Sequence, residues 1–136
     1  MCGIYGYYGF DQIDNKKIVN FLYKRGPDEH KKFNIDKITI GATRLAIRDV
    51  TNGSQPFFNK EFNLYSSLNG EIYNYSSLRK LIEKKGYKFK TNCDTEIIGP
   101  GYYFFKDKFF NMINGMFAIG IYDKKKKYFI LSRERF

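Results

Sequence analysis

The sequence predicts one α+β domain over residues 1–136. Apolar, β-leaning segments stand at both ends of the chain, and amphipathic helical stretches lie between them. No repeat, low-complexity linker or shift in composition divides the chain. With 43% hydrophobic and 19% aromatic residues it can bury a core, which excludes a disordered tail.

Residues 2–10 are apolar and punctuated by Gly3, Gly6 and Gly9, the pattern of a buried strand that other backbone approaches closely. Asn15 caps a short helix with Ile18, Phe21 and Leu22 on one face, and Arg25-Gly26-Pro27-Asp28 stops it. Residues 33–40 alternate as a strand, with Ile38 and Ile40 on one face. A short apolar stretch at 44–50 ends in an Asn52-Gly53 turn, and a strand at 62–68 ends at Asn69-Gly70. Residues 74–85 form a helix with Leu78, Leu81 and Ile82 inward and Gly86 as its stop. Asp94 caps another helix, which Gly99-Pro100-Gly101 breaks, because a residue before proline is pushed out of the α region. A second short helix then restarts at Pro100. Residues 116–122 and 128–133 form a hairpin joined by Asp123 and four lysines.

Composition narrows the function. No apolar run reaches the roughly 18–20 residues of a membrane helix. The start of the chain has no basic region of the kind that opens a signal peptide. Two cysteines, Cys2 and Cys93, make no disulfide framework, and a reducing, cytoplasmic setting follows. The one histidine, His30, leaves a Cys/His zinc cluster short of ligands, and a nucleophile–His–carboxylate triad could be built only around it. Neither glycine-rich phosphate loop occurs. The net charge of +10 would suit a nucleic-acid module. The lysines, however, cluster in turn-like pairs and in the run 124–127, as on a solvated surface, so no nucleic-acid partner is expected.

Three places could carry chemistry. Removal of Met1 would leave Cys2 first in the chain, its thiol beside a free α-amino group whose pKa of about 7.7–8.0 suits a base near neutral pH. Alternatively, Cys2 packs as a small hydrophobe. At Asn69-Gly70-Glu71, a side-chain amide and a glycine N–H at a strand end could point at one spot, as in an oxyanion hole, or the pair could be a plain turn. Arg44 and Asp94 each stand among uncharged neighbours; facing one cleft, they could bind the carboxylate and ammonium of an α-amino acid.

Taken in order, these residues resemble the class II glutamine amidotransferases, the N-terminal-nucleophile glutaminases, and among them the glutaminase domain of glutamine-hydrolysing asparagine synthetases. The matching runs are Cys2-Gly3-Ile4, Arg25-Gly26-Pro27-Asp28, Arg44-Leu45-Ala46-Ile47 with Asp49, and Ser54-Gln55-Pro56. Asn69-Gly70-Glu71-Ile72-Tyr73-Asn74, Asp94-Thr95-Glu96 and Asn114-Gly115-Met116-Phe117-Ala118 complete them. The resemblance implies a four-layer αββα sandwich of antiparallel sheets. It also implies that Cys2 attacks the glutamine amide, that Asn69 and Gly70 hold the oxyanion, and that Arg44 grips the carboxylate. Asp94 and Glu71 would take the ammonium, with Leu45 and Ile47 lining the pocket. L-glutamine is then the substrate, and ammonia passes to a synthetase domain or partner chain; a homodimer is compatible with this. No cofactor is expected in this chain, ATP and magnesium belonging to a synthetase domain that it lacks.

Departures from the family pattern are Lys24 for His, Ala42-Thr43 for His-Arg, Arg48 in an otherwise apolar run, Cys93 for Ser, and the Gly99-Pro100-Gly101 break. The run Ser132-Arg133-Glu134-Arg135-Phe136 resembles Ala-Arg-Asp-Arg-Phe, which relatives follow with more strands, so the resemblance implies a sheet cut short. The rival reading is a non-catalytic module that keeps the fold.

Overall fold

Two antiparallel sheets lie face to face in a computed structural model that describes residues 1–9 and 13–135. The first sheet has the order β1-β3-β2, from β1 (Gly3–Tyr8), β2 (Glu29–Ile35) and β3 (Ile38–Arg44). The second has the order β4-β5-β6-β7, from β4 (Phe57–Asn59), β5 (Leu64–Ile72), β6 (Gly115–Asp123) and β7 (Tyr128–Arg133). Between them pack Ile35, Ile38, Ile40, Tyr65 and Tyr122, with Phe33, Phe58 and Phe129 at the margin. Helix α1 (Asn15–Leu22) leads into a 3-10 turn (Tyr23–Arg25) beside the first sheet, where Leu22 packs on Gly3 and accepts a hydrogen bond from Thr43. Helices α2 (Tyr75–Glu83), α3 (Asp94–Phe105) and α4 (Lys108–Met112) cover the other face of the second sheet. There Leu64, Leu68 and Ile72 of β5 meet Ile82, Ile97, Ile98 and Phe109. The period of two along β5 turns Tyr65, Ser67, Asn69 and Glu71 to the opposite face, toward the first sheet.

Several elements differ from the expectation. Residues 33–40 are a hairpin rather than one strand: Ile35 pairs with Ile38 across Asp36-Lys37, and Asp36 takes φ +54°. The turn lacks the glycine that usually advertises it. Strand β5 does not stop before Asn69-Gly70 but runs through to Ile72. Gly70, at φ +140°, is there for close approach: a Cβ would lie 2.8 Å from both the Met116 carbonyl carbon and Phe117 Cα. The short edge strand β4 had no signal of its own.

Helix α3 is continuous through Gly99-Pro100-Gly101. Gly99 carries no Cβ to meet the proline ring, and Gly101 lies against the Phe109 ring, where any side chain would collide. Proline within a helix costs about 3 kcal/mol, whereas complete burial of Ile97 and Ile98 contributes roughly 1.5–3 kcal/mol each. Packing therefore wins. Asp94 is the first residue of α3 rather than its cap; Cys93 occupies the cap position, and its side chain caps no backbone N–H of the helix. In α2 the buried face is Tyr75, Leu78 and Ile82, with Leu81 outside. In α1 the cap is Asp14, which accepts from the Lys16 N–H, and Phe21 is exposed. The expected ends of the first strand at Phe10 and of the final run at Phe136 lie outside the described residues.

Candidate active site

The open ends of β3 and β5 and the start of α3 enclose a cleft of about 110 Å³. Cys2, Arg44, Leu45, Ile47, Gly70, Glu71 and Asp94 all line it, brought from four separate stretches of chain. Half-buried Cys2 precedes β1, whose Gly3 pairs with Thr43, so register alone sets Cys2 beside the Arg44–Leu45 end of β3. Its Sγ lies 3.9 Å from the Leu45 carbonyl, and Arg25 Nε donates to the Cys2 carbonyl at 3.3 Å.

The runs quoted from the sequence turn out to be braces for this cleft. Gly26 packs on the Thr43 carbonyl, where a Cβ would collide. Asp28 N–H donates to the Arg44 carbonyl, and the Asp28 carboxylate accepts from Ala46 N–H at 2.8 Å. The chain beyond β3 is thereby held open for Leu45 and Ile47. Asn74 donates through Nδ2 to the Met112 carbonyl and accepts from Asn114 N–H, tying the end of β5 to the start of β6. Glu96 is fully buried and accepts from Tyr87 OH, Lys90 N–H, Thr91 N–H and Thr91 Oγ1, which fixes the approach to α3.

Asp94, 7% exposed, accepts from Ile72 N–H at 3.4 Å. Burial pushes its carboxyl above the ordinary aspartate range, while the Ile72 N–H and the Arg48 charge pull the other way. Cys93 lies beside it, and burial likewise raises its thiol. A raised thiol pKa makes Cys93 a poor nucleophile near neutral pH.

Two residues stand differently from the expectation. Asn69 is not in the lining, although its neighbours Leu68 and Gly70 are, and its Oδ1 is buried without a hydrogen-bond partner among the described residues. Arg44 is buried, and four of its five N–H donors are engaged. Nη1 donates to the Val50 carbonyl at 3.0 Å and Glu29 Oε2 at 3.5 Å; Nη2 donates to the Arg48 carbonyl at 3.1 Å and the Asp49 carbonyl at 2.8 Å. Arg44 is thus the anchor of loop 48–53, with only Nε left for a ligand. Asp49 ties the same loop to Asn92 N–H at 2.7 Å.

Sequence reading had given no role to Gly53, Gln55, Thr95 and Met116, which also line the cleft. Gln55 is buried and accepts from Leu68 N–H, so the Ser54-Gln55-Pro56 run was its available signal. His30 is outside the cleft, bonded to Tyr5 OH at 2.9 Å. A larger cavity of about 330 Å³ between the sheets is lined by Tyr5, Ile40, Phe129 and Leu131 among others, with no charged side chain among the described residues that line it.

The two facing antiparallel sheets are those of the N-terminal-nucleophile amidotransferase fold, as superposition on a solved amidotransferase shows. The phosphoribosylpyrophosphate amidotransferase of Bacillus subtilis, solved with ADP and GMP, superposes with a TM-score of 0.58 at 25% identity, covering 72% of this chain and 23% of that one. Residues 1–136 match the glutamine amidotransferase domain, and the chain belongs to that family. Among curated relatives, glutamine-hydrolysing asparagine synthetase 1 of Bacillus subtilis is 35% identical over 100% of this chain and 23% of its own length. Asparagine synthetase B of Escherichia coli is 31% identical over 98% and 25%. The chain therefore spans about a quarter of the length of these relatives. Among the described residues, no helix is long and apolar enough to cross a membrane.

Proposed function

We propose that this domain hydrolyses the side-chain amide of L-glutamine in the cytoplasm and supplies ammonia to an amide-forming synthetase site of the asparagine-synthetase type. The observation that carries the reading is the convergence of Cys2, Gly70, Glu71 and Asp94 on one cleft in a chain of this family. Met1 must first be removed to free the α-amino group of Cys2. That amine takes the thiol proton as Sγ bonds to the amide carbon, and returns a proton to the departing ammonia. Water then cleaves the thioester to glutamate. Gly70 N–H and the Asn69 amide, once its side chain turns into the cleft, stabilise the oxyanion. Glu71 and Asp94 face the substrate ammonium. Arg44 sets a fixed positive charge behind the carboxylate end and holds loop 48–53, while the Leu45 and Ile47 backbone shapes the wall.

The rival reading, a module that keeps the fold without the reaction, draws on the position of Asn69 outside the lining. Ammonia release from L-glutamine by the processed chain, without ATP or magnesium, separates the two. The reading predicts release that Cys2→Ala abolishes and Asn69→Ala slows by roughly 10²–10³ in kcat. No release from processed protein, or full activity in Cys2→Ala, would refute it.

A further inference from the structure

Two side-chain oxygens are buried without a hydrogen-bond partner among the described residues, Ser67 Oγ and Asn69 Oδ1. They belong to alternate residues of β5, so both stand on the face turned toward the first sheet. Ser67 is 1% exposed, whereas Asn69 as a whole is half-buried. A buried polar group left unpaired is costly and rare, and here two of them sit on one stretch of one strand face.

The two oxygens are complementary. A serine hydroxyl donates and an amide oxygen accepts. Residues two apart on a strand are separated by about 6.6–6.8 Å along the backbone. Strand side chains lean along the strand, so a hydroxyl and a carboxamide that lean toward each other close that gap to bonding distance. The surroundings leave room for this. Opposite Ser67 on β6 is Gly120, and opposite Asn69 is Ala118, neither with a polar side chain to compete. A Cβ placed on Gly120 would meet nothing nearer than Leu131 Cδ2 at 3.9 Å. Ser67 lines the cavity between the sheets together with Gly6 and Gly120, while Gly70, next to Asn69, lines the catalytic cleft. The pair therefore stands where β5 passes from the cavity to the cleft.

We propose that Ser67 is the positioning residue of the oxyanion hole: as substrate enters, its hydroxyl donates to Asn69 Oδ1 and so holds Asn69 Nδ2 toward the cleft. An amide has its oxygen and its nitrogen on opposite branches of one plane, so fixing the oxygen inward fixes the donor outward. The inference rests on the reading of Asn69 as an oxyanion donor and supplies the turn of its side chain that this reading requires.

The test combines kinetics, stability and side-chain resonances on the full chain. In ammonia release by processed protein, Ser67→Ala lowers kcat about three- to tenfold, the worth of one neutral hydrogen bond, and leaves KM within about twofold. Ser67→Thr keeps the hydroxyl and recovers most of the rate. In an Asn69→Ala background, Ser67→Ala costs nothing further, because it acts through Asn69. Tm does not fall in Ser67→Ala, since the hydroxyl it removes has no partner in the free protein. In ¹⁵N spectra of Cys2→Ala chain saturated with L-glutamine, the Asn69 side-chain amide resonances shift on Ser67→Ala and return on Ser67→Thr. An unchanged kcat, a loss of equal size with and without Asn69, or an Asn69 amide that ignores Ser67→Ala would each overturn the inference and leave the glutaminase reading intact. An Asn69 amide that follows Ser67 in a chain that binds glutamine but releases no ammonia would support the contact and sink the glutaminase reading. No binding of glutamine at all would sink both.

Discussion

Replacing Arg44 by lysine separates an anchor from a direct ligand. The guanidinium reaches three loop carbonyls at 2.8–3.1 Å, those of Arg48, Asp49 and Val50. A lysine ammonium is a point donor on a flexible stem and can satisfy one of them in place of the fork, so two bonds are lost. A hydrogen bond to a charged group contributes about 1.5–3 kcal/mol, and the freed carbonyls lie in a loop open enough for water to replace part of that. The expected loss of stability is about 2–3 kcal/mol. For a domain of this size, roughly 4 °C per kcal/mol, that lowers Tm by about 8–12 °C. Thermal unfolding followed by circular dichroism reads it, and hydrogen exchange should place the new flexibility at residues 48–53. Glutamine KM rises as loop 48–53, which walls the cleft, loses its anchor. An unchanged Tm with a raised KM would refute the anchor role and return Arg44 to direct contact with the carboxylate.

Two further outcomes follow from the same geometry. Gly70→Ala forces a Cβ against the Met116–Phe117 backbone at a positive φ, so we expect a loss of about 3 kcal/mol or more in urea unfolding; wild-type stability would show that β5 and β6 are not so close. Asp94 must be ionised to hold an ammonium, and burial raises its pKa. Since the protonated form is favoured below that pKa, kcat/KM should fall with acid at a pH above the ordinary aspartate range, and Asp94→Asn should lose this limb of the profile. An acid limb that persists in Asp94→Asn belongs to another group.

Much of the site was legible because its residues make contacts that only their own type can make. Gly26 meets a carbonyl that excludes any side chain, and Asn74 both donates and accepts across the β5–β6 junction. Such residues recur as short runs at fixed order, and a run can be read without a structure. The strand ends were less legible. The hairpin at Asp36-Lys37 uses an ordinary residue at positive φ, and Pro100 is carried inside a helix by the burial around it. Both outcomes depend on partners distant in the chain. The role of Arg44 was hidden for another reason. Its partners are mostly backbone carbonyls, which every residue has, so no side-chain pattern announces that its donors are already spent.

The most direct test of the account is the site of covalent capture. Chain freed of Met1 is treated with a diazo-ketone analogue of glutamine and analysed by intact and peptide mass spectrometry. The account predicts one label per chain, on Cys2, in step with loss of ammonia release, while buried Cys93 stays free at neutral pH. A label on Cys93 with Cys2 unmodified, or full ammonia release from protein labelled at Cys2, would contradict it.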